Sequence, residues 1–301
     1  MQVPAHVDYE RATSVDHALA LLGRYGSGAR VLAGGHSLIP MMKLRLAQPE
    51  TLVDINGIAG LRYIKVCDDQ LRIGALTRHA DLLESPAALR YFPILTDAER
   101  VIADPIVRQW GTIGGSLCQA DPSEDLSAAF AALKGIMVVH GAGGTRLVSA
   151  RAFHTGPYET VVEQSELLTE IRLPIHPRGG SARGEIDSGG SSYLKVARRV
   201  GDWPVGAAGV AVWIAGETIA DVGIGLAAVG ARHFAAAEAE DFLRGRAASA
   251  ENLARAGEIA AENCRPVSDQ RGPADYKRHL ASELTVRALR VALERSRLGG
   301  S

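Results

Sequence analysis

A chain of 301 residues, 47% hydrophobic and 22% charged, can bury a full core, and its length favours two domains, or one large domain with an appendage. A formal net charge of -1 with no long basic block removes the footprint that nucleic-acid binding needs. No apolar run reaches the length of a spanning helix, Met1-Gln2-Val3-Pro4 lacks signal-peptide character, and Cys67, Cys118 and Cys264 form no disulfide, zinc or iron–sulfur spacing, so a reducing cytoplasm is expected.

Ser14 opens a helical pattern with Val15, Ala18, Leu19 and Leu22 on one face and Gly26 as its stop. Arg30–Ala33 reads as a short strand feeding the turn Ala33-Gly34-Gly35-His36-Ser37, and Ser37 is expected to cap a helix over Leu38–Leu46. Thr51–Ile55 and Gln70–Ala75 read as the next strands of a small βαβ-like unit. Helices are expected over Ala80–Glu84 and Pro93–Ile102, then a second glycine turn, Thr112-Ile113-Gly114-Gly115-Ser116, then a helix over Ser123–Lys134. Ile136–His140 and Arg146–Ser149 form a predicted hairpin around Gly141-Ala142-Gly143-Gly144, and Glu166–Leu173 is a strand closed by Pro174.

His176–Gly190 is poor in apolar residues and reads as a linker. Beyond it, strands over Ser191–Arg198, Gly206–Ala215 and Ile219–Val229 precede helices over His233–Arg244, Ala250–Asn263 and Pro273–Ser296. Strands followed by helices give the α+β fold class, a three-stranded sheet carrying a helical bundle. The expected division is 1–177, with parts 1–56 and 57–177, and 178–301.

The doubled glycine turn carries the chemistry. Glycine pairs let a backbone approach a ligand closely and turn successive N–H groups inward, and a terminal serine can cap a helix or donate to a phosphate. One such turn is an ordinary feature; two, with similar flanks, could hold the two phosphates of a dinucleotide from both sides. The G-x-G-x-x-G fingerprint is absent, which disfavours a Rossmann nicotinamide site. Lys43 and Arg45 follow the first turn, and solvation accounts for them as well as phosphate does. His36 has no second ligand at metal spacing. Asp121 and Asp125 bracket a helix start and suit either capping or hydrogen bonds from ribose or ribityl hydroxyls. Tyr193 and Lys195 alternate onto one strand face, where an aromatic and a cation could cover a flat ring; an ordinary exposed face fits the spacing equally well. Cys118 reads as a small buried hydrophobe.

Ala33–Arg45 (AGGHSLIPMMKLR), Ile102–Ala129 (IADPIVRQWGTIGGSLCQADPSEDLSAA) and Asp269–Leu289 (DQRGPADYKRHLASELTVRAL) resemble the FAD-binding medium subunit of the molybdenum hydroxylases, in particular its aerobic carbon monoxide dehydrogenase branch. The resemblance spans nearly the whole chain. It implies a two-part FAD-binding domain of the vanillyl-alcohol-oxidase (PCMH) type followed by an α+β C-terminal domain. It implies a pyrophosphate held between Ala33, Gly34, Gly35, His36, Ser37 and Leu38 on one side and Thr112, Gly114, Gly115 and Ser116 on the other. It places Asp125 near the ribityl chain, Tyr193 and Lys195 near the isoalloxazine, and Leu167 and Leu168 at the ring's border, with Ile102 and Asp121 also among the cofactor-binding residues. Cys118-Gln119 and Ser127 depart from the usual family residues.

The family context implies a large subunit carrying molybdopterin, a small subunit carrying two [2Fe-2S] clusters, a dimer of heterotrimers, and a quinone or cytochrome acceptor. Peripheral association with the inner face of the cell membrane is compatible with that acceptor. This chain then carries flavin, no metal and no acid–base catalyst. Two alternatives remain open at this level: a self-contained FAD-dependent reductase of the same fold, which would be reduced by NADH or NADPH, and a cofactor-free scaffold subunit, which would refuse added FAD.

Overall fold

The structure, a computed structural model, describes residues 3–175 and 187–298. β1 (Asp8–Arg11), α1 (Val15–Tyr25), β2 (Ala29–Leu32), α2 (Leu38–Lys43) and β3 (Thr51–Asp54) alternate along the chain, and their strands form a parallel sheet in the order β1-β3-β2. Ser14 caps α1 by accepting from the His17 N–H at 3.0 Å, and Ala18, Leu21 and Leu22 bury the inner face. β1 is an addition to the sequence expectation, because DYER is mostly exposed and shows no apolar alternation.

The next segment runs β4 (Ile64–Cys67), β5 (Gln70–Gly74), α3 (His79–Leu83), α4 (Pro86–Tyr91), α5 (Pro93–Val101), α6 (Pro105–Trp110), α7 (Ile113–Gln119) and α8 (Asp125–Ala132). It continues through β6 (Ile136–Gly141), β7 (Gly144–Ser149), α9 (Ala150–Phe153), β8 (His154–Gly156), β9 (Glu159–Thr160) and β10 (Glu166–Pro174). An antiparallel sheet runs β4-β5-β10-β6-β7. β5 therefore does not extend the first unit, as its position after β3 suggested; its partners are β4 and β10. The β6–β7 hairpin turns where the glycine cluster predicts.

The last segment holds β11 (Ser188–Ala197), β12 (Pro204–Ala215), β13 (Thr218–Ala227), α10 (Ala237–Leu243), α11 (Ala250–Glu262) and α12 (Ala274–Leu298). The predicted linker is shorter than drawn, since Ser188–Gly190 belong to β11; residues 176–186, with the boundary at 178, lie outside the described residues. The helix expected over His233–Arg244 is broken, because His233 and Phe234 take positive φ and Ala235 bridges back to Gly225.

β12 is buried nearly throughout because both of its faces are covered. Ala207, Ala211 and Trp213 pack into the core shared with α5, α7 and α8, while Ala208, Val210, Val212 and Ile214 pack toward α11 and α12. α8 lies directly on β13: Gly223 and Gly225 leave room for the backbone of Ala132 and Ala128. One apolar core thus runs from the antiparallel sheet through α8 into the C-terminal sheet.

Candidate functional site

A cleft of about 1130 Å³ opens between the β2–α2 loop on one side and α6, α7 and β10 on the other. That volume suits a ligand larger than most drug-sized molecules. Ala33, Gly34, Gly35, His36, Ser37 and Leu38 line one wall; Thr112, Gly114, Gly115 and Ser116 line the facing wall. Ile102, Leu167, Leu168, Asp125 and Lys195 complete it among the predicted residues. Asp121 and Tyr193 do not line the cleft. Lys43 and Arg45 stay outside it and are exposed.

The first glycine loop has the expected character. Gly35 takes φ +76°, which only glycine adopts without strain. Among the described residues the N–H groups of Gly34, Gly35, His36 and Ser37 meet no protein acceptor. Ser37 stands at the start of α2, but its hydroxyl makes no capping bond, and α2 ends at Lys43 rather than Leu46. The hydroxyl expected to cap thus makes no bond to the helix it precedes, and Ser37 lines the cleft.

The second glycine pair is not a turn. It forms the first turn of α7, capped by Thr112, whose hydroxyl accepts from the Gly115 N–H at 3.1 Å. Ile113 donates to the Thr77 carbonyl at 2.9 Å, Gly114 to Ala75 at 2.8 Å and Ser116 to Thr112 at 3.0 Å. These N–H groups are spent inside the protein, so this wall offers the cleft a close glycine surface and the Ser116 hydroxyl rather than a row of amides. Gly114 is required for packing, because a Cβ there would lie 2.7 Å from the Ala75 Cβ.

A polar clamp holds the two walls together. Asn56 donates its side-chain amide to the Ala33 carbonyl at 2.6 Å and to Asp54 at 2.8 Å. Its Oδ1 accepts from Arg78 at 2.8 Å, and Arg78 also donates to the Trp110 carbonyl. The first loop, β3, α3 and α6 are thus tied by two side chains that no local spacing identifies.

At the inner end, Asp125 is matched on both oxygens. Tyr193 donates its hydroxyl to Oδ1 at 2.8 Å, and Lys195 its ammonium to Oδ2 at 2.8 Å. Tyr193 and Lys195 do share a strand face, but the tyrosine lies beneath the cleft and anchors the aspartate rather than covering a ring. Burial lifts the Asp125 carboxyl above its ordinary value even though Lys195 opposes the rise. Removing one partner of a buried ion pair strands the other charge. Asp125→Ala is therefore expected to cost about 3–5 kcal/mol in denaturant unfolding, by the usual penalty for stranding a buried charge. A loss below about 1 kcal/mol, the ordinary worth of an exposed pair, would show that Lys195 reaches water.

Asp121 is occupied by its own turn, accepting from the Ser123 N–H at 2.9 Å and from the Tyr158 hydroxyl at 3.1 Å. The N-cap of α8 is Glu124, whose carboxylate accepts from the Leu126 N–H at 3.0 Å and from the Ser127 N–H and hydroxyl at 2.5 and 2.7 Å. Ser127 thus serves that cap. Glu124 also lines the cleft, and burial pushes its carboxyl up to about 7. Cys118 is exposed on the cleft wall rather than buried.

Sequence reasoning misses one further group. His79, on α3, lines the cleft and joins Glu99 of α5 to Ser116 of α7. Glu99 lies 20 residues from His79 and Ser116 lies 37, so no periodicity links them. Among the described residues, no group of three or more histidine, cysteine or acidic side chains could hold a metal ion. No helix there is long and apolar enough to cross a membrane.

Residues 5–176 match the model of the FAD binding domain in molybdopterin dehydrogenase, and residues 191–292 that of the CO dehydrogenase flavoprotein C-terminal domain. The chain is 39% identical to the carbon monoxide dehydrogenase medium chain of Hydrogenophaga pseudoflava, over 97% of this chain and 99% of the relative. It is 33% identical to the glyceraldehyde dehydrogenase medium chain of Sulfolobus acidocaldarius, over 95% and 98%. The solved carbon monoxide dehydrogenase from Hydrogenophaga pseudoflava that lacks the Mo-pyranopterin moiety matches with a TM-score of 0.92 at 40% identity, covering 98% of this chain and 99% of that one.

Proposed function

Since the chain belongs to the family of FAD-binding subunits of the molybdopterin dehydrogenases, we propose that it is the electron-transfer flavoprotein of a carbon monoxide dehydrogenase-type complex. Its electrons come from iron–sulfur clusters on a small partner subunit, after oxidation of substrate at a molybdopterin centre on a large one. They leave to a quinone or cytochrome, and the assembly is a dimer of heterotrimers.

The observation that carries this reading is the row of N–H groups at Gly34, Gly35, His36 and Ser37 that, among the described residues, meet no protein acceptor, in a cleft that Ser116 also lines. Unpaired backbone donors in a concave loop suit an anion. Those donors fit the pyrophosphate of FAD, and the volume of the cleft leaves room for the rest of the dinucleotide. Bound FAD supplies a store for two electrons that fills and empties one electron at a time.

The chain's own part is binding, orientation and electrostatics. The loop amides with the Ser37 and Ser116 hydroxyls hold the phosphates. Leu167, Leu168 and Ile102 give the apolar border that excludes water. Lys195, fixed by Asp125, places a positive charge at the inner end. No side chain is assigned an acid–base role, because electron transfer needs none. The boundary between the flavin-binding part and the C-terminal part is proposed near residue 178.

The test is the visible spectrum of the chain co-expressed with its partner subunits. The expected result is one flavin per chain, bleached by carbon monoxide in the complex and unreactive toward NADH in the isolated chain. Rapid bleaching of the isolated chain by NADH would overturn the electron-transfer assignment in favour of a self-contained reductase.

A further inference from the structure

The His79–Glu99 pair is buried and titratable, and electron transfer through a bound flavin makes no demand on it. Its side chains are 3% and 0% exposed. His79 Nδ1 lies 3.0 Å from each Glu99 oxygen, and Nε2 lies 2.9 Å from Ser116 Oγ. While Glu99 is ionised, its two oxygens on Nδ1 require a hydrogen there; burial raises the Glu99 carboxyl, and the His79 charge opposes that rise. The only open question in the chain of bonds is which partner donates between Nε2 and Ser116.

The charge on His79 answers it. A neutral imidazole with its hydrogen on Nδ1 has a lone pair on Nε2 and accepts the serine hydroxyl hydrogen, so Ser116 turns lone pairs to the cleft. An imidazolium donates from Nε2 to Ser116, and the hydroxyl hydrogen is free to point at a ligand. A phosphate is an acceptor only, so it is compatible with the second arrangement and repelled by the first.

We propose that His79, held by Glu99, is a positioning residue that couples a proton to the binding of the FAD phosphates through Ser116. The inference rests on the assignment of the cleft to FAD. Anion binding and His79 protonation then favour one another, and by linkage each raises the affinity for the other.

The surroundings support the charged form. Burial alone lowers the His79 pKa, but the Glu99 carboxylate outweighs it and the net shift is upward. Glu124 at the start of α8 adds to the rise, while Arg108 on α6 opposes it. Asp125 on α8 also feels the His79 charge, and it is neutralised by Lys195. Gly111 leaves the imidazole room, since a Cβ there would sit 2.9 Å from His79 Cδ2. Glu124, whose carboxyl burial pushes up to about 7, lines the cleft together with His36, and both must be separated from His79 in any pH experiment.

The experiment is calorimetric titration of flavin-free full-length chain with FAD, and separately with ADP, between pH 6 and 9 in two buffers of different ionisation enthalpy. The wild type is expected to take up a proton with each ligand, the uptake approaching one as the pH passes above the His79 titration. Affinity there falls toward tenfold per pH unit, the slope set by one linked proton. Glu124→Gln is expected to keep the uptake. His79→Gln donates a permanent amide hydrogen, and is expected to bind with no proton uptake and a flat profile. The 15N shift of wild-type His79 Nε2, moving to the imidazolium position on ligand addition, gives a readout independent of any variant's folding. A wild type that binds FAD with no proton uptake, or His79→Gln retaining the uptake, overturns the coupling alone. A wild type that refuses both FAD and ADP overturns the cleft assignment and the coupling with it.

Discussion

Replacing Gly223 with alanine is expected to destabilise the protein by more than about 4 kcal/mol, the range reached by a clash in a packed core that cannot relax. A Cβ at this position would overlap the Ala132 carbonyl oxygen and lie 2.7 Å from its carbon. At Gly225 a Cβ would overlap the Ala128 carbonyl and lie 2.6 Å from that carbon. The two glycines are two apart on β13 and the two alanines four apart on α8, so both contacts fall on one line where helix backbone meets strand backbone. No rotamer change relieves a collision between backbones. The added methyl must push α8 off the sheet and open the core that Phe130, Ala211 and Trp213 share. Urea unfolding of Gly223→Ala beside Gly143→Ala checks this, because a Cβ at Gly143 meets nothing within 4 Å. The control should fall within about 0.5 kcal/mol of wild type, as surface substitutions do. A Gly223→Ala protein as stable as the control would mean that α8 does not rest on β13.

The second large effect falls on binding. Gly34→Ala is expected to weaken FAD by at least about 100-fold, which is the roughly 2.7 kcal/mol that displacing one wall of the cleft would remove. Here a Cβ would overlap the Trp110 carbonyl oxygen and lie 2.8 Å from Gly111 Cα. That carbonyl is where Arg78 ties the second wall to Asn56 and so to Ala33. The substitution therefore drives apart the two surfaces that the clamp holds together, while Gly34 itself belongs to no core cluster. Fluorescence quenching of FAD measures the affinity, and a thermal melt confirms that the chain remains folded. Undiminished affinity in a folded Gly34→Ala protein would place the cofactor elsewhere. Gly114 fails for a different reason. Its missing side chain faces Ala75 and not the ligand, so substitution there should unseat α7 from β5 before it obstructs anything in the cleft.

These cases show which signals a sequence carries. Consecutive glycines ahead of an apolar run mark a loop that needs φ > 0, and Gly34-Gly35 is that loop. The same pairing in Gly114-Gly115 misleads, because two glycines in the first turn of a helix argue against a helix on propensity. The helix forms through tertiary contacts: Ile113 and Leu117 are fully buried, and the Ala75 and Thr77 carbonyls take its first N–H groups. Thr112 three residues before Gly115 was the local hint of an N-cap. β12 was legible because a strand buried on both faces is a continuous apolar run, whereas β1 and β4 are short, largely exposed strands with no such pattern. Tyr193 and Lys195 were rightly placed on one face, yet what that face meets depends on α8, which sequence order does not position. The His79–Glu99–Ser116 chain and the Asn56–Arg78 clamp join separate elements through single side chains, and nothing periodic announces them.

Amide-resolved NMR of the full chain, titrated with FAD to saturation, distinguishes whether the loop amides of Gly34–Ser37 hold the FAD phosphates while those of Gly114 and Gly115 remain bound within the protein. Large downfield shifts of the Gly34, Gly35, His36 and Ser37 amides, with the Gly114 and Gly115 amides still protected from exchange, are the expected result. Saturation with FAD that leaves the Gly34–Ser37 amides unmoved would contradict phosphate binding by that loop.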